Sequence, residues 1–341
     1  MAKQKQLRNL LNKEDCLKRL ALEKFPRTTI SFYKYVTFED PAAFRDQLYI
    51  LWEAIGVLGR IYVSAEGINA QLSVPTHHVA ALRASVDFIP TIQGVTFKYA
   101  IDEPGVSFWK LTIKVREHIV AHGIEEKIDL SKAGTHLNAA EWNEAIEQGA
   151  IVVDMRNGYE TDIGHFDGAM TPKVDTFREE IPLVLEALKD QKDKKILLYC
   201  TGGVRCEPVS AYMAQKGFQN VNQLSGGIIK YAEEVQKKGL ENKFLGQNYV
   251  FDGRVAEKVT DDVLGKCFNC GNACNTHVDC ESDLCHALFL QCTDCQARMK
   301  RCCSAACMEF AALPDEERRL KRKGRKAKFL IHRAESQVNS L

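Results

Sequence analysis

The sequence predicts a multidomain α/β protein: an α+β domain, then an α/β domain with a parallel sheet, then a cysteine-rich segment held by metal rather than by an apolar core. Three observations carry this. Apolar segments follow a β-α-β-β-α-β order up to residue 104, strands and helices alternate between 135 and 245, and ten of thirteen cysteines fall between Cys267 and Cys307. A chain of 341 residues has room for such a division. Its 45% hydrophobic and 27% charged residues are ordinary for a globular protein. A net charge of +1 projects no global field toward nucleic acid, so any such signal must be local. No apolar run approaches membrane-spanning length, and the first residues lack the apolar core of a secretory signal, so a cytoplasmic protein without membrane contact is expected.

Residues 1–26 form a basic N-terminal extension with helical periodicity in Leu7, Leu10, Leu11, Leu17 and Leu20. In 27–104, strands begin at Thr29, Arg60, Ile68 and Val95, and helices at Pro41 and Thr76, the order of a split βαβ, ferredoxin-like (acylphosphatase-like) domain. Gly59, Arg60, Glu66, Gly67 and Asn69 make either a plain hairpin or an anion or RNA contact. Residues 105–134 are an extended connector suited to an added edge strand. Its Lys110, Lys114 and Arg116 share one face at period two, as a solvated edge or as an RNA contact.

The central domain, 135–245, opens with a helix-start signal, Asn138 with Glu141 three residues on. Ile151–Asp154 is a buried strand, and Asp154 and Arg156 are expected to form a structural ion pair that supports the cysteine loop. Ile196–Tyr199 is a second buried strand, ending at Cys200-Thr201-Gly202-Gly203-Val204-Arg205-Cys206 with a helix opening at Pro208. Ligands of open α/β sheets bind at such strand ends. Gly202 and Gly203 let several N–H groups point inward, the helix adds its positive end, and Arg205 adds a full charge. Each favours the thiolate of Cys200, a nucleophile at neutral pH. Only four residues separate Cys200 from Arg205, so the ring of N–H groups suits a terminal sulfur or oxygen better than a phosphoryl group. Cys206 lies on the loop's far lip, either as a cysteine that resolves an oxidised Cys200 or as a packing residue.

In 246–312, Cys267-x-x-Cys270 and Cys292-x-x-Cys295 have the spacing of a four-sulfur zinc site. Cys280 and Cys285 with Cys302 or Cys303 and Cys307 offer a second, interleaved set. Zinc there is structural. The tail, 313–341, is basic: eight of the eleven residues from Arg318 to Lys328 are Lys or Arg. Arg318, Arg319, Lys321, Arg322 and Lys323 are either solvated or phosphate-contacting.

The stretch Asp154-Met-Arg156-Asn157-x-Tyr159-Glu160, followed by Gly164-His165-Phe166-x-Gly168-Ala169, resembles the first signature of a rhodanese domain, and Cys200 to Arg205 resembles its six-residue loop. With Cys206 and Glu207 added, and with the Gly59–Asn69 pattern and the cysteine-rich tail, nearly the whole chain is similar to the rhodanese-related tRNA uridine hydroxylases. The resemblance implies oxygen-dependent conversion of a tRNA wobble uridine to 5-hydroxyuridine, with Cys200 catalytic through a persulfide or an oxidised sulfur. Pro208 stands where that family is expected to carry lysine. A small-molecule sulfurtransferase and a non-catalytic RNA-binding scaffold are the alternatives. No Rossmann glycine fingerprint, haem motif or two-histidine-one-carboxylate spacing identifies an oxygen-activating group.

Overall fold

The computed structural model of the chain describes residues 7–103, 105–324 and 330–334. After helix α1 (Lys13–Ala21), β1 (Arg27–Tyr35), α2 (Pro41–Ala54), β2 (Leu58–Ser64), β3 (Gly67–Pro75), α3 (Val79–Asp87), β4 (Lys98–Tyr99) and β5 (Leu111–Val115) build one sheet in the order β4-β1-β3-β2-β5. Period two decides its faces. Ile30, Phe32, Ile61, Val63, Ile68, Ala70 and Leu72 point to one side and are buried with Leu48 and Trp52 of α2 and Leu82 and Val86 of α3. Thr29, Ser31, Tyr33, Arg60, Tyr62, Asn69 and Gln71 point to the other. The connector supplies β5 as an edge strand, parallel to β2.

The central domain continues with β6 (Thr135–Leu137), α4 (Ala139–Glu147), β7 (Ile151–Asp154), α5 (Gly158–Thr161), β8 (Gly164–Phe166), α6 (Phe177–Ala187), β9 (Lys195–Tyr199), α7 (Cys206–Gln215), β10 (Asn220–Leu224) and α8 (Gly227–Lys238). Strands β6-β10-β9-β7 are parallel, and apolar clusters cover both sheet faces. The start of α4 is the capping box that Asn138 and Glu141 announce. Then β11 (Phe244–Tyr249) pairs with β8 and with β12 (Ala256–Lys258).

The C-terminal module contains β13 (His277–Asp279), β14 (Leu288–Leu290), α9 (Thr293–Met299), α10 (Ala305–Ala311), α11 (Asp315–Arg322) and β15 (Ile331–His332). The tail is not wholly solvated: β15 returns to pair with β14, and Arg333 bonds Asp162 at 2.7 Å and Asp175 at 3.0 Å in the central domain. Arg325, Lys326 and Lys328 of the basic run lie outside the described residues. No helix among the described residues is long and apolar enough to cross a membrane.

Candidate functional site

The site forms where β9 ends and the outer face of the N-terminal sheet meets the cysteine loop. Cys200 is 1% exposed, and its sulfur accepts the Gly203 N–H at 3.1 Å. Gly203 takes a positive φ of 97°, which aims that N–H inward. Behind the loop, Ile228 and Ile229 donate their N–H groups to the carbonyls of Cys200 and Thr201 at 3.1 and 3.2 Å. That approach is possible because Gly227 has no side chain: a Cβ there would lie 2.4 Å from the Cys200 carbonyl oxygen. Tyr35 closes the far side by donating its hydroxyl to the Val204 carbonyl at 3.1 Å.

Arg205 does not stand free over the sulfur. Its guanidinium is held by Glu160 in a bidentate pair of 2.6 and 2.9 Å, with Thr201 Oγ1 3.3 Å away. Cys206 lies inside rather than on the loop's lip. Helix α7 begins at Cys206, two residues before the proline, and this turns the fully buried thiol toward Cys200. Burial raises the pKa of Cys200, but the hydrogen bond from Cys206, the Arg205 charge and the N–H groups of Arg205 and Gly203 together bring it down to about 5. The Cys206 thiol is pushed well up, first by burial and then by its bond to Cys200. The thiolate fraction at Cys200 therefore rises through pH 5. Alkylation of Cys200 is expected to reach its plateau below pH 7, where a free cysteine is still gaining rate, and Cys206→Ala should move the midpoint upward. A Cys200 rate that climbs through pH 8 would contradict this electrostatic arrangement.

Asp154 and Arg156 form a fully buried pair behind the site: Arg156 donates to both carboxylate oxygens at 2.9 and 2.7 Å and to the Gly164 carbonyl at 2.5 Å. Tyr199 donates to the same carboxylate at 2.6 Å, so the pair ties the ends of β7 and β9 together. Neither residue lines the cavity.

That cavity, about 770 Å³, lies between Cys200 and the N-terminal sheet, within the usual range of roughly 300–1,000 Å³ for small-ligand sites. The rings of Tyr33, Tyr62, Phe108 and Phe251 line it, as do Arg60, Lys98, Arg116 and Arg178. None of these four cations has a carboxylate partner among the described residues, whereas Arg254 is paired with Asp252 and Glu257. Of the connector residues, Arg116 reaches the cavity. Lys114 pairs in register with Tyr62, and Lys110 lies over the Trp109 ring. In the tail, Arg318 and Arg322 bond Asp283 at 3.0 and 3.5 Å, while Arg319, Lys321 and Lys323 have no carboxylate partner among the described residues.

Several contacts here escaped the sequence. Glu207 accepts bonds from Tyr33, His136 and Gln223 at 2.9, 2.8 and 3.0 Å, fastening the N-terminal domain to the start of α7. Glu66, His118 and His122 bring ligand atoms within 4.8 Å of one another at the cavity's edge, a grouping hidden by the 52 positions that separate the first two. One nitrogen of each ring is already engaged: His118 Nδ1 bonds Glu66 at 3.0 Å, Glu66 accepts the Ile119 N–H at 2.9 Å, and His122 Nδ1 accepts the Ile124 N–H at 3.0 Å. The set thereby clamps the connector to the β2–β3 hairpin.

In the C-terminal module, Cys267, Cys270, Cys292 and Cys295 gather in one group and Cys280, Cys285, Cys303 and Cys307 in another, each with its sulfurs within 4.8 Å. Of the two neighbours Cys302 and Cys303, Cys303 joins the group and Cys302 is fully buried in the apolar cluster. Sulfur pairs stand 3.6–3.7 Å apart. Four thiolates bound tetrahedrally at about 2.3 Å have edges of about 3.8 Å, so both groups fit a metal ion.

Comparison with known proteins agrees along the chain. A model of the UPF0176 acylphosphatase-like domain matches residues 27–119, a rhodanese-like domain 138–234, and a rhodanese C-terminal domain 245–308. A tRNA uridine(34) hydroxylase of Leptospira interrogans is 47% identical over 95% of this chain and 89% of its own. The chain belongs to the tRNA uridine(34) hydroxylase family. Hydroxylases of that name from Erwinia tasmaniensis and Photorhabdus laumondii are 48% and 44% identical, covering 94% and 98% of this chain and 92% and 97% of their own. Within the family's shared architecture, the Cys200 loop, the facing sheet and both cysteine groups all fall inside the matched regions.

Proposed function

We propose that this chain hydroxylates C5 of uridine 34, the wobble base of tRNA, in the cytoplasm, with molecular oxygen as co-substrate and Cys200 as the reacting sulfur. The observation that carries this is the cavity: a buried thiolate at its floor, aromatic rings for a base to stack on, and three arginines without carboxylate partners for phosphates. A carrier that passes sulfur to a small acceptor needs neither rings nor cations. Uridine binds by leaving its stack and entering between Tyr33, Tyr62 and the loop, while Arg60, Arg116 and Arg178 meet the flanking backbone. Arg319, Lys321 and Lys323 add sequence-independent attraction. Cys206 resolves Cys200. One oxygen atom enters the base and the other leaves as water, with two protons and two electrons drawn from the two thiols as they close to a disulfide. Zinc occupies each cysteine group. It has no redox chemistry, so its contribution is to the fold.

The test uses unmodified tRNA in air with wild type and Cys200→Ser, followed by mass analysis of the wobble nucleoside. Wild type should add the mass of one oxygen atom, and the variant should lose activity by about 10³-fold or more. Modification surviving in Cys200→Ser would sink the assignment.

A further inference from the structure

Of the buried cations that line the cavity, Arg205 is paired with Glu160 and Arg254 with Asp252 and Glu257, whereas Lys98 has no carboxylate partner among the described residues. It stands on β4, in register with Ser31 of β1, and is 7% exposed. Its ammonium has no hydrogen-bond or ion-pair partner among the described residues, only the Tyr33 ring, whose centroid lies 4.5 Å from Nζ. A buried ammonium normally pairs with a carboxylate, because leaving water without a counter-charge is costly. The negative charge that Lys98 faces is the Cys200 thiolate, a charge that passes to the base if the sulfur adds to it. A Cβ on Gly202 would lie 3.5 Å from Lys98 Cε, and one on Gly203 would lie 2.9 Å from the Tyr33 hydroxyl. Lys98 and Tyr33 therefore rest against the two glycines of the cysteine loop, and Lys98 faces the same cavity as Cys200. Burial lowers its pKa to about 8; the charge of Cys200, and more weakly that of Glu207, acts in the opposite direction and Lys230 adds to the lowering, so the ammonium form persists at neutral pH.

The chemistry proposed for uridine creates an anion at this place. C5 of neutral uracil is a weak nucleophile, but its C5–C6 double bond is conjugated with the C4 carbonyl, so a thiolate can add at C6. We propose that Lys98 is a catalytic residue that donates a hydrogen bond to O4 of the target uracil and stabilises the enolate formed when Cys200 Sγ adds to C6. The Sγ–C6 bond forms, the C5–C6 π bond breaks, and its electron pair is shared between C5 and O4. No oxidant is consumed. Protonation at C5 by solvent, loss of the original C5 proton to water and expulsion of the thiolate then return uridine carrying a solvent hydrogen at C5. Preorganised donors aimed at developing charge are the usual large term in such steps.

This inference rests on the uridine reading, and the experiment separates the two. Unmodified tRNA is incubated with the full-length protein in deuterated water without oxygen, and deuterium at C5 of the wobble uridine is measured. The same preparation is assayed for hydroxylation in air. Wild type should exchange. Lys98→Met, an apolar residue of similar length, should lose exchange by roughly 10²-fold or more, while Lys98→Arg, which keeps a donor, should retain more of it. The alkylation midpoint of Cys200 in Lys98→Met should rise, because ammonium and thiolate stabilise each other, but exchange should stay low at a pH well above the new midpoint, where the thiolate is fully formed. Exchange undiminished in Lys98→Met overturns the proposal. So does a loss that is fully recovered at a pH above the raised midpoint, because Lys98 would then only position the thiolate. Wild type that hydroxylates in air but never exchanges overturns addition at C6. Wild type that does neither overturns the uridine reading itself.

Discussion

Glu160→Gln should destabilise the chain by about 3–5 kcal/mol, the usual cost of removing one partner from a buried ion pair. Glu160 is fully buried and Arg205 is 8% exposed at the side chain, so solvent cannot replace the lost charge. The glutamine would still accept one bond, but the guanidinium would be left without its counter-ion beside a nucleophilic sulfur. Glu160 also bonds Thr201, so the change reaches the loop from two sides. Thermal or denaturant unfolding measures the stability loss, and tRNA modification should fall with it. The alkylation midpoint of Cys200 should not rise, because an Arg205 freed from Glu160 favours the thiolate at least as well as before. A variant as stable as wild type, or one whose Cys200 midpoint climbs, would mean that the pair is not what holds the loop.

That pairing marks the boundary of what the sequence discloses. Features carried by near neighbours were legible. The capping box of α4 joins residues three positions apart, the cysteine loop announces itself by a strand end and two glycines, and the Cys-x-x-Cys pairs define their own spacing. The order of the N-terminal strands follows from alternation and turn residues alone. What stayed hidden is the set of contacts between residues far apart in the chain. Arg205 meets Glu160 across 45 positions, and Tyr33 meets Glu207 across 174. Lys98 looks like any strand lysine until β4 is laid against the loop. Cys206 departs from its expected place for a local reason: the proline at 208 suggests the first turn of a helix, but it occupies an interior position of that turn, so the helix starts earlier and points the thiol inward. Cys302 and Cys303 could not be ordered, since adjacent residues differ only in the face they present.

Removing metal from the C-terminal module should unfold that module and silence the distant site, although no cysteine-group residue lines the cavity. Both buried clusters there are small: one consists only of Cys267, Cys274, Cys295 and Cys292, the other places Val278, Ala287 and Phe289 among further cysteines, and strands β13 and β14 are three residues each. Burial of that size cannot offset the entropy of ordering the segment. Structural zinc contributes about 10–16 kcal/mol in comparable small modules. The module in turn braces the segment that carries Glu160. His277 packs edge-on against Tyr249 and Tyr159, with ring centroids 5.2 and 6.4 Å away, and Arg333 reaches Asp162 just past α5. Losing the module frees α5, and Arg205 then loses a firmly held partner. Chelation sufficient to empty the protein of metal should therefore lower its melting temperature and cut tRNA modification by roughly tenfold or more. Readdition of zinc should restore both, at two ions per chain by elemental analysis. Cys267→Ala should reproduce the loss and bind one ion. A chain shown to be free of metal that melts normally and still modifies tRNA would refute a structural role for either group.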